Sequence, residues 1–248
     1  SVYKTLADEI LPQLRRARLT ANYDIIGRSD EEINEAFDTD AKVLSVEELL
    51  YAATLTNDNA RKEAIYKKTV ELYPSDCRAY NNLGMMAYAA GDKAAAENYF
   101  KQALSKNASS AEANTNMGLC ELVKGNVANA ETYLSKSTGA NTANEALGNL
   151  YIKQGQYDRA VNAFGDTKTN SAALAQILAK DYNKAKNTLN AVKNPDAYTD
   201  YLMAIVGART NNADLVKSSM AKVAQKDASL AAKAQDDREF AKYANEIK

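Results

Sequence analysis

The sequence predicts an all-helical protein, built as a solenoid of stacked helical hairpins. The first observation is a unit over residues 78–104, where a Gly-Asp turn joins two stretches with apolar side chains at helical spacing. The second is that this unit recurs along the chain. The third is composition, because 46% of the residues are hydrophobic while only 3 are Pro and none is Trp. The 248 residues suffice for one elongated domain with a continuous core, or for two small domains.

The unit over residues 78–104 has the properties of two closely packed helices. Its two apolar stripes consist of Tyr80, Leu83 and Ala87, then Ala96, Phe100 and Ala103. Gly84 and Ala96 lack bulk where the antiparallel helices approach each other, and Phe100 fills the space beside them. Since a hairpin of this size cannot bury its own core, we expect neighbouring hairpins to stack on it.

Copies of this unit follow at uneven intervals. A shift of 34 residues carries Gly84 to Gly118, and a further 30 residues leads to Gly148. The next copy comes after 25 residues, with Tyr182 in the place of Tyr157, so its first helix should be short. Ala204 takes the glycine position in the last copy. We therefore expect helical hairpins over residues 45–73, 77–106, 111–137, 142–166, 170–192 and 197–225.

The order of an aromatic residue, Leu83-Gly84, Gly91-Asp92, Ala96 and Phe100 resembles the tetratricopeptide repeat, a helix-turn-helix unit of about 34 residues. Pro74 matches the family's closing proline. The resemblance covers about residues 45–228 and implies five to six hairpins in a right-handed superhelix. Residues 1–44 would then be an N-terminal lead. Residues 229–248 would form two polar capping helices, at about 229–235 and 237–246.

The N-terminal lead departs from the repeat pattern. Residues 2–14 have helical spacing, whereas residues 17–25 alternate apolar and polar side chains, which is typical of a strand. A lone strand needs a backbone partner. Three outcomes stay open: the strand completes a preceding domain, it pairs with a second copy in a homodimer, or it is an irregular lead. Two capping boxes, Ser29 with Glu32 and Ser45 with Glu48, predict helix starts after the lead.

A second resemblance concerns the same region. A helix, basic residues and a strand, followed by Ser29–Ile33 and Leu44–Thr56, resemble the junction between an OmpA-like domain and its tetratricopeptide tail in envelope proteins of Bacteroidales. This resemblance implies a periplasmic or outer-membrane location. No signal segment opens the chain. Because it begins at Ser1 rather than Met, we expect a processed or shortened chain, for which a missing signal decides little.

The residue types argue against catalysis, cofactors and metals. The chain has no histidine, which removes histidine-based triads, acid–base chemistry and metal ligation. No phosphate-binding loop motif occurs. Cys77 and Cys120 are expected to be free thiols rather than a disulfide or zinc ligands. The acidic clusters at 30–32, 47–48 and 236–237 are interpreted as helix starts. An enzyme that uses carboxylate, lysine or tyrosine chemistry is the remaining catalytic alternative.

Charge and hydropathy restrict the classes of partner that the chain is expected to bind. The net charge is -1, so no basic field exists to hold nucleic acid or an anionic membrane nonspecifically. No apolar run approaches the roughly 18 to 20 residues that a membrane-spanning helix needs. We therefore expect a protein or peptide partner, and neither nucleic acid nor a membrane span.

The resemblance also implies where a partner binds, because the family's first helices line a concave groove that holds extended or helical protein segments. The matching positions are Tyr51, Arg78, Asn81, Asn82, Met85, Tyr88, Glu112, Thr115, Asn116, Leu119, Leu122, Asn149, Ile152 and Lys153. Asn82 and Asn116 stand where some members carry an asparagine ladder that grips a peptide backbone, although Glu48 and Ala146 interrupt it. We expect a noncatalytic scaffold in cell-envelope assembly, with a structural spacer or self-association module beside an OmpA-like domain as the alternative.

Overall fold

The structure is a computed structural model, and it describes residues 27–245 and residue 247. The predicted helix over residues 2–14, the predicted strand over residues 17–25 and the dimer contact through that strand lie outside the described residues. Within the described part of the chain every regular element is helical, so the predicted all-helical fold class is confirmed.

Fourteen α-helices and two 3₁₀ segments make up this part of the chain. Helix α1 spans Asp30–Asp40 and leads through the 3₁₀ turn Ala41–Val43 into six helical hairpins. These are α2 (Val46–Ala52) with α3 (Asn59–Leu72), α4 (Cys77–Ala89) with α5 (Lys93–Lys106), α6 (Ala111–Lys124) with α7 (Val127–Leu134), α8 (Ala143–Lys153) with α9 (Tyr157–Phe164), α10 (Asn170–Leu178) with α11 (Tyr182–Asn190), and α12 (Ala197–Arg209) with α13 (Ala213–Lys226). Helix α14 (Ala228–Ala234) and the 3₁₀ helix Arg238–Tyr243 follow.

Side-chain caps set the starts of α1 and α2. The Ser29 hydroxyl accepts a hydrogen bond from the Glu32 backbone N–H at 3.2 Å, and Glu32 Oε2 accepts one from the Ser29 N–H at 2.8 Å. Ser45 and Glu48 repeat this arrangement at the start of α2. Each box satisfies two backbone donors that a helix start leaves without a partner, so both predicted capping boxes are confirmed.

Small residues on the first helices allow the second helices to approach. A Cβ atom on Gly84 would lie 2.5 Å from Cε1 of Phe100, whose ring is buried between α4 and α5. The same close approach joins Gly118 to Leu134 and Gly148 to Phe164. In the last two hairpins the equivalent small residues are Ala173 and Ala204, both fully buried. The recurring small residue in the sequence therefore marks the place where the two helices of a hairpin are closest to each other.

From the second hairpin onward, the hairpins stack so that each first helix packs against the next. Contacts join α4 to α6, α6 to α8, α8 to α10 and α10 to α12, while each second helix from α3 to α11 packs against the first helix that follows it. The predicted short first helix of the fifth hairpin is observed, since α10 has 9 residues where α4 has 13. This stacking brings one face of four consecutive first helices together.

The C-terminal cap differs in detail from the prediction. Helix α14 forms close to the expected position, but the expected helix over residues 237–246 is instead a 3₁₀ helix of 6 residues, Arg238–Tyr243. Phe240 and Tyr243 are both buried against α12, in a cluster that includes Tyr201 and Leu202. Residues three apart project in the same direction in a 3₁₀ helix, so the tighter winding lets both rings reach the core. The amphipathic spacing alone did not distinguish the two helix types.

Candidate partner-binding groove

The stacked first helices form a groove with a cavity of about 530 Å³. Helices α4, α6, α8 and α10 supply most of its wall, and the Phe100 ring reaches it from α5. The lining residues are Met85, Tyr88, Phe100, Asn116, Leu119, Cys120, Leu122, Val123, Asn149, Ile152, Lys153 and Leu174. We refer to this set as the groove.

The repeat register explains which side chains line the groove. On each first helix the small residue faces the second helix of its own hairpin, so the residue directly after it points about 100° away around the helix axis. These next residues form one row along the groove, namely Met85, Leu119, Asn149 and Leu174. One turn further on, a second row contains Tyr88, Leu122 and Ile152. Close packing within the hairpins thus determines which positions of the first helices line the groove.

Three large apolar side chains of the groove are strongly exposed. Met85, Tyr88 and Val123 retain 48%, 40% and 58% of their accessible surface. Burying such surface is favourable by roughly 25 cal/mol per Å², so leaving it in water forgoes stability that folding could have gained. Exposed apolar side chains that cluster around a concavity are typical of a site that is covered by a partner.

Polar groups interrupt the apolar wall at three points. The Asn116 Nδ2 group donates to Asn81 Oδ1 at 2.9 Å, and the Asn149 Nδ2 group donates to the Glu145 backbone carbonyl at 3.0 Å. Both amides therefore keep their own carbonyl oxygens available as acceptors. Lys153 is exposed and pairs with no carboxylate in the part of the chain that the structure describes.

Cys120 lies in the wall of the groove. Its side chain is buried, and burial, with a smaller contribution from the Glu97 carboxylate, raises the pKa of the thiol above its ordinary value. Such a thiol stays protonated near neutral pH and behaves as a small apolar group. Both cysteines are free in the structure.

Eight of the residues predicted from the resemblance lie together in the groove: Met85, Tyr88, Asn116, Leu119, Leu122, Asn149, Ile152 and Lys153. Of the other predicted positions, Glu112 and Thr115 are not lining residues. The predicted set did not include four of the lining residues, namely Phe100, Cys120, Val123 and Leu174. Val123 stands one helical turn after Leu119, so helical spacing could have identified it. Leu174 belongs to the shortened fifth hairpin, and the 25-residue shift from Tyr157 to Tyr182 also carries Asn149 to Leu174, so the repeat register could have identified it.

Tyr51 and Arg78 lie elsewhere and contact neighbouring elements. The Tyr51 hydroxyl donates to Asp30 Oδ1 on α1 at 3.1 Å. The Arg78 guanidinium donates to Asp76 at 2.7 Å and to Glu47 on α2 at 2.8 Å, and these two carboxylates raise the pKa of the guanidinium further. Both side chains therefore tie together the first hairpins and α1.

Asn81 and Asn82 also differ from their expected placement. Asn81 is only 9% exposed and accepts the hydrogen bond from Asn116, so it lies between α4 and α6. Asn82 is not a lining residue and lies beside Tyr66 of α3, where burial raises the pKa of the Tyr66 hydroxyl and the Asn82 amide partly lowers it. Asn82 and Asn116 therefore do not stand together as a row of asparagines in the groove, and Asn116 is hydrogen-bonded to Asn81 instead.

Two further observations concern the described residues alone. Nowhere in residues 27–245 do three or more cysteine, aspartate or glutamate side chains gather in a way that could hold a metal ion. Among the helices of this same part, none is both long enough and apolar enough to span a membrane.

Comparison with known sequences supports the repeat assignment. Profiles of the tetratricopeptide repeat family match residues 81–145 and residues 145–167. These ranges contain α5 to α9 and most of α4. No curated protein matches the chain closely enough to count as a relative.

Solved structures show the same fold at low sequence identity. A tetratricopeptide repeat protein from Parabacteroides merdae has 15% identity and a TM-score of 0.56, covering 80% of this chain and 85% of that one. PilW, a type IV pilus biogenesis factor, has 20% identity and a TM-score of 0.58 over 78% of this chain and 96% of its own. The Cut9–Hcn1 assembly of the APC/C has 15% identity and a TM-score of 0.66 over 79% of this chain and 42% of that one. Residues 81–167 are therefore tetratricopeptide repeats, and the chain folds as a tetratricopeptide-type helical solenoid.

Proposed function

We propose that this chain is a noncatalytic interaction module, whose groove holds a segment of a protein partner. The observation that carries the proposal is the exposure of Met85, Tyr88 and Val123 around one cavity. An isolated exposed apolar residue needs no explanation, but a cluster in a concavity resembles the anchor pockets of protein interfaces. A tyrosine and a methionine in such a cluster suit an interface, because both are enriched in interface cores.

The chemistry of the wall supports binding rather than catalysis. None of the lining residues is Asp, Glu or His, so the groove wall itself presents no carboxylate or imidazole that could act as a general base. The thiol itself is held in its protonated form by burial. The groove therefore offers apolar contact area, two amides and one cation, which are recognition groups.

The test compares groove substitutions with a matched substitution outside the groove. A photoreactive amino acid at position 119 would capture the partner in cells of the source organism, and mass spectrometry would identify it. Binding of the purified partner would then be measured by calorimetry for Met85→Gln combined with Val123→Gln, and for Val43→Gln. Val43 is a suitable control because it is 50% exposed and lies before α2, outside the groove.

We expect the double groove variant to lose about tenfold or more in affinity, since each side chain contributes about 1 kcal/mol when an interface covers it. Val43→Gln should bind as the wild type does. Glutamine is a good helix former, so circular dichroism should show unchanged helicity in all variants. Loss of binding in the Val43 variant, with the double groove variant unaffected, would contradict the proposal.

We also propose that this binding takes place in the cell envelope, in the periplasm or at the outer membrane. Support comes from the resemblance of residues 29–56 to the junction that follows an OmpA-like domain. Fractionation of source cells with an antibody against the repeats tests the location, and recovery in the cytoplasm would refute it. A structural spacer is the alternative, and it predicts that position 119 captures either nothing or a second copy of this chain.

A further inference from the structure

We propose that the segment held in the groove is an apolar peptide stretch with a carboxylate that pairs with Lys153. This inference rests on the proposed function and specifies the chemistry of its partner. Lys153 is the basic residue of an otherwise neutral wall, and its side chain has no acidic partner among the described residues. An occupant that covers the groove must bring the compensating charge, because a cation removed from water without one is costly.

Two other cations at the ends of first helices, Lys124 and Arg209, are neutralised within the chain. Lys124, at the end of α6, contacts Glu97 at 2.6 Å and Glu121 at 3.1 Å. In the next hairpin Glu131 takes the place of Glu97, but it accepts a hydrogen bond from Gln154 at 3.2 Å. No carboxylate of the described residues lies within ion-pair distance of Lys153, which is the one charged side chain among the residues that line the groove.

The last hairpin shows how this chain satisfies a cation at the same register. Arg209 follows Ala204 by the same interval that separates Lys153 from Gly148. Glu239, from the 3₁₀ helix that follows the repeats, accepts hydrogen bonds from both Nε and Nη2 of Arg209. The next residue, Phe240, is buried with its ring edge-on to Tyr201. In the last hairpin, a segment outside the repeats therefore supplies a carboxylate for the cation at this register, directly beside an apolar side chain that is buried.

The two asparagines favour a peptide over an acyl chain. Covering Asn116 and Asn149 with hydrocarbon would leave their carbonyl oxygens without donors, which costs about 1 to 3 kcal/mol for each group. A peptide backbone carries N–H donors that can approach both oxygens. The apolar rows of the groove, Met85 with Leu119 and Leu122 with Ile152, then receive side chains of that peptide.

Selection from a random peptide library tests the inference. Phage-displayed peptides about 12 residues long, which span about 40 Å when extended, would be selected against three forms of the protein. These are the wild type, Lys153→Glu, and Met85→Gln combined with Val123→Gln. Lys136→Glu is the charge-matched control, since Lys136 is exposed and lies in the turn after α7, outside the groove. Fluorescence anisotropy would then measure the affinity of each selected peptide, and of copies in which its acidic residue is changed to Gln or Lys.

We expect the wild type and Lys136→Glu to enrich apolar peptides that contain Asp or Glu, and to bind the acidic copy about two- to fivefold more tightly than the Gln copy. Lys153→Glu should enrich basic peptides instead. Groove-dependent peptides without any acidic preference would overturn this inference and leave the proposed function standing. If the wild type enriched no peptide over the double groove variant, both the inference and the proposed function would be overturned. The same would follow if decanoate, used as a probe for an acyl chain, bound in the groove while no peptide did.

Discussion

Asn116 on α6 donates a hydrogen bond from Nδ2 to Oδ1 of Asn81 on α4, at 2.9 Å. The bond joins the first helices of two consecutive hairpins, beside the groove. Asn81 is almost fully buried, so its carbonyl oxygen has little access to water as a substitute donor. The pair therefore links hairpin stacking to the shape of the groove, since Asn116 is itself a lining residue.

The first prediction measures this link with a double-mutant cycle of Asn81→Ala and Asn116→Ala. Removing either partner leaves the other without its hydrogen bond, whereas removing both does not. We expect a coupling energy of about 0.5 to 1.5 kcal/mol from urea unfolding. Asn149→Ala is the control, because the Asn149 amide donates within its own helix. Equal coupling of Asn81 to Asn149 and to Asn116 would contradict the assignment.

The second prediction concerns the close approach of α4 and α5. Gly84→Ala places a methyl group 2.5 Å from Cε1 of Phe100, which the surrounding core prevents from moving away. We expect a loss of about 1 to 3 kcal/mol in the free energy of unfolding, measured by chemical denaturation. Gly27→Ala is the control, because a Cβ atom there would have no neighbour within 4 Å among the described residues.

A second variant separates steric conflict from a general effect of the substitution. Combining Gly84→Ala with Phe100→Ala removes the ring that the methyl group meets. The two losses should then be less than additive, because the glycine substitution no longer causes a clash. Full additivity, or a Gly84→Ala variant as stable as the Gly27→Ala control, would mean that the ring has room to move.

The fold could be predicted from the sequence because its strongest constraint is local. Gly84 and Phe100 recur as Gly118 with Leu134 and as Gly148 with Phe164, and each pair reports one close helix contact. The sequence pattern did not show whether Asn81 or Asn82 contacts Asn116. Adjacent residues on a helix differ by about 100° in direction, and the repeat register places both near the boundary between groove and neighbouring helix. Only the packing of α4 against α6 decides which of them meets Asn116.

Contacts between distant residues limited the prediction of the groove. Arg78 stands at a position that faces a partner in the family, but Glu47 on the preceding hairpin pairs with it. Tyr51 is held in the same way by Asp30. Neither pairing has a sequence pattern of its own, because the partners are 31 residues apart for Glu47 and Arg78 and 21 residues apart for Asp30 and Tyr51. Leu174 is different, because the 25-residue interval that leads to the shortened α10 carries Asn149 to Leu174 and was sufficient to predict it.

The third prediction uses two tyrosines that the sequence treated alike. Tyr88 and Tyr51 are 40% and 47% exposed, but only Tyr88 lines the groove. Tyr88→Ala should weaken binding of a groove-selected peptide by about 1 to 2 kcal/mol, as measured by calorimetry, with little change in the melting temperature. Tyr51→Ala should leave that affinity unchanged. If the two variants lose affinity equally, the partner must extend beyond the groove to α2.

The last prediction concerns alkaline pH and the C-terminal cap. The Tyr201 hydroxyl donates to Asp237, next to the 3₁₀ helix that buries Phe240. Burial raises the pKa of Tyr201, and the adjacent Asp237 carboxylate raises it further. In the unfolded chain the phenol has its ordinary pKa of about 10. Above that pH the unfolded state has released a proton that the folded state still holds, so the free energy of unfolding falls as pH rises.

Tyr201→Phe should remove this contribution. Urea unfolding between about pH 9 and pH 11 should show a shallower fall in stability for the variant than for the wild type, by up to about 1.4 kcal/mol per pH unit. At neutral pH the same variant should be less stable by about 1 kcal/mol, because Asp237 loses its donor. Tyr88→Phe, which changes an exposed hydroxyl, should follow the wild-type curve. Identical slopes for wild type and Tyr201→Phe would show that the phenol of Tyr201 reaches solvent, and that the cap does not seal this end of the solenoid.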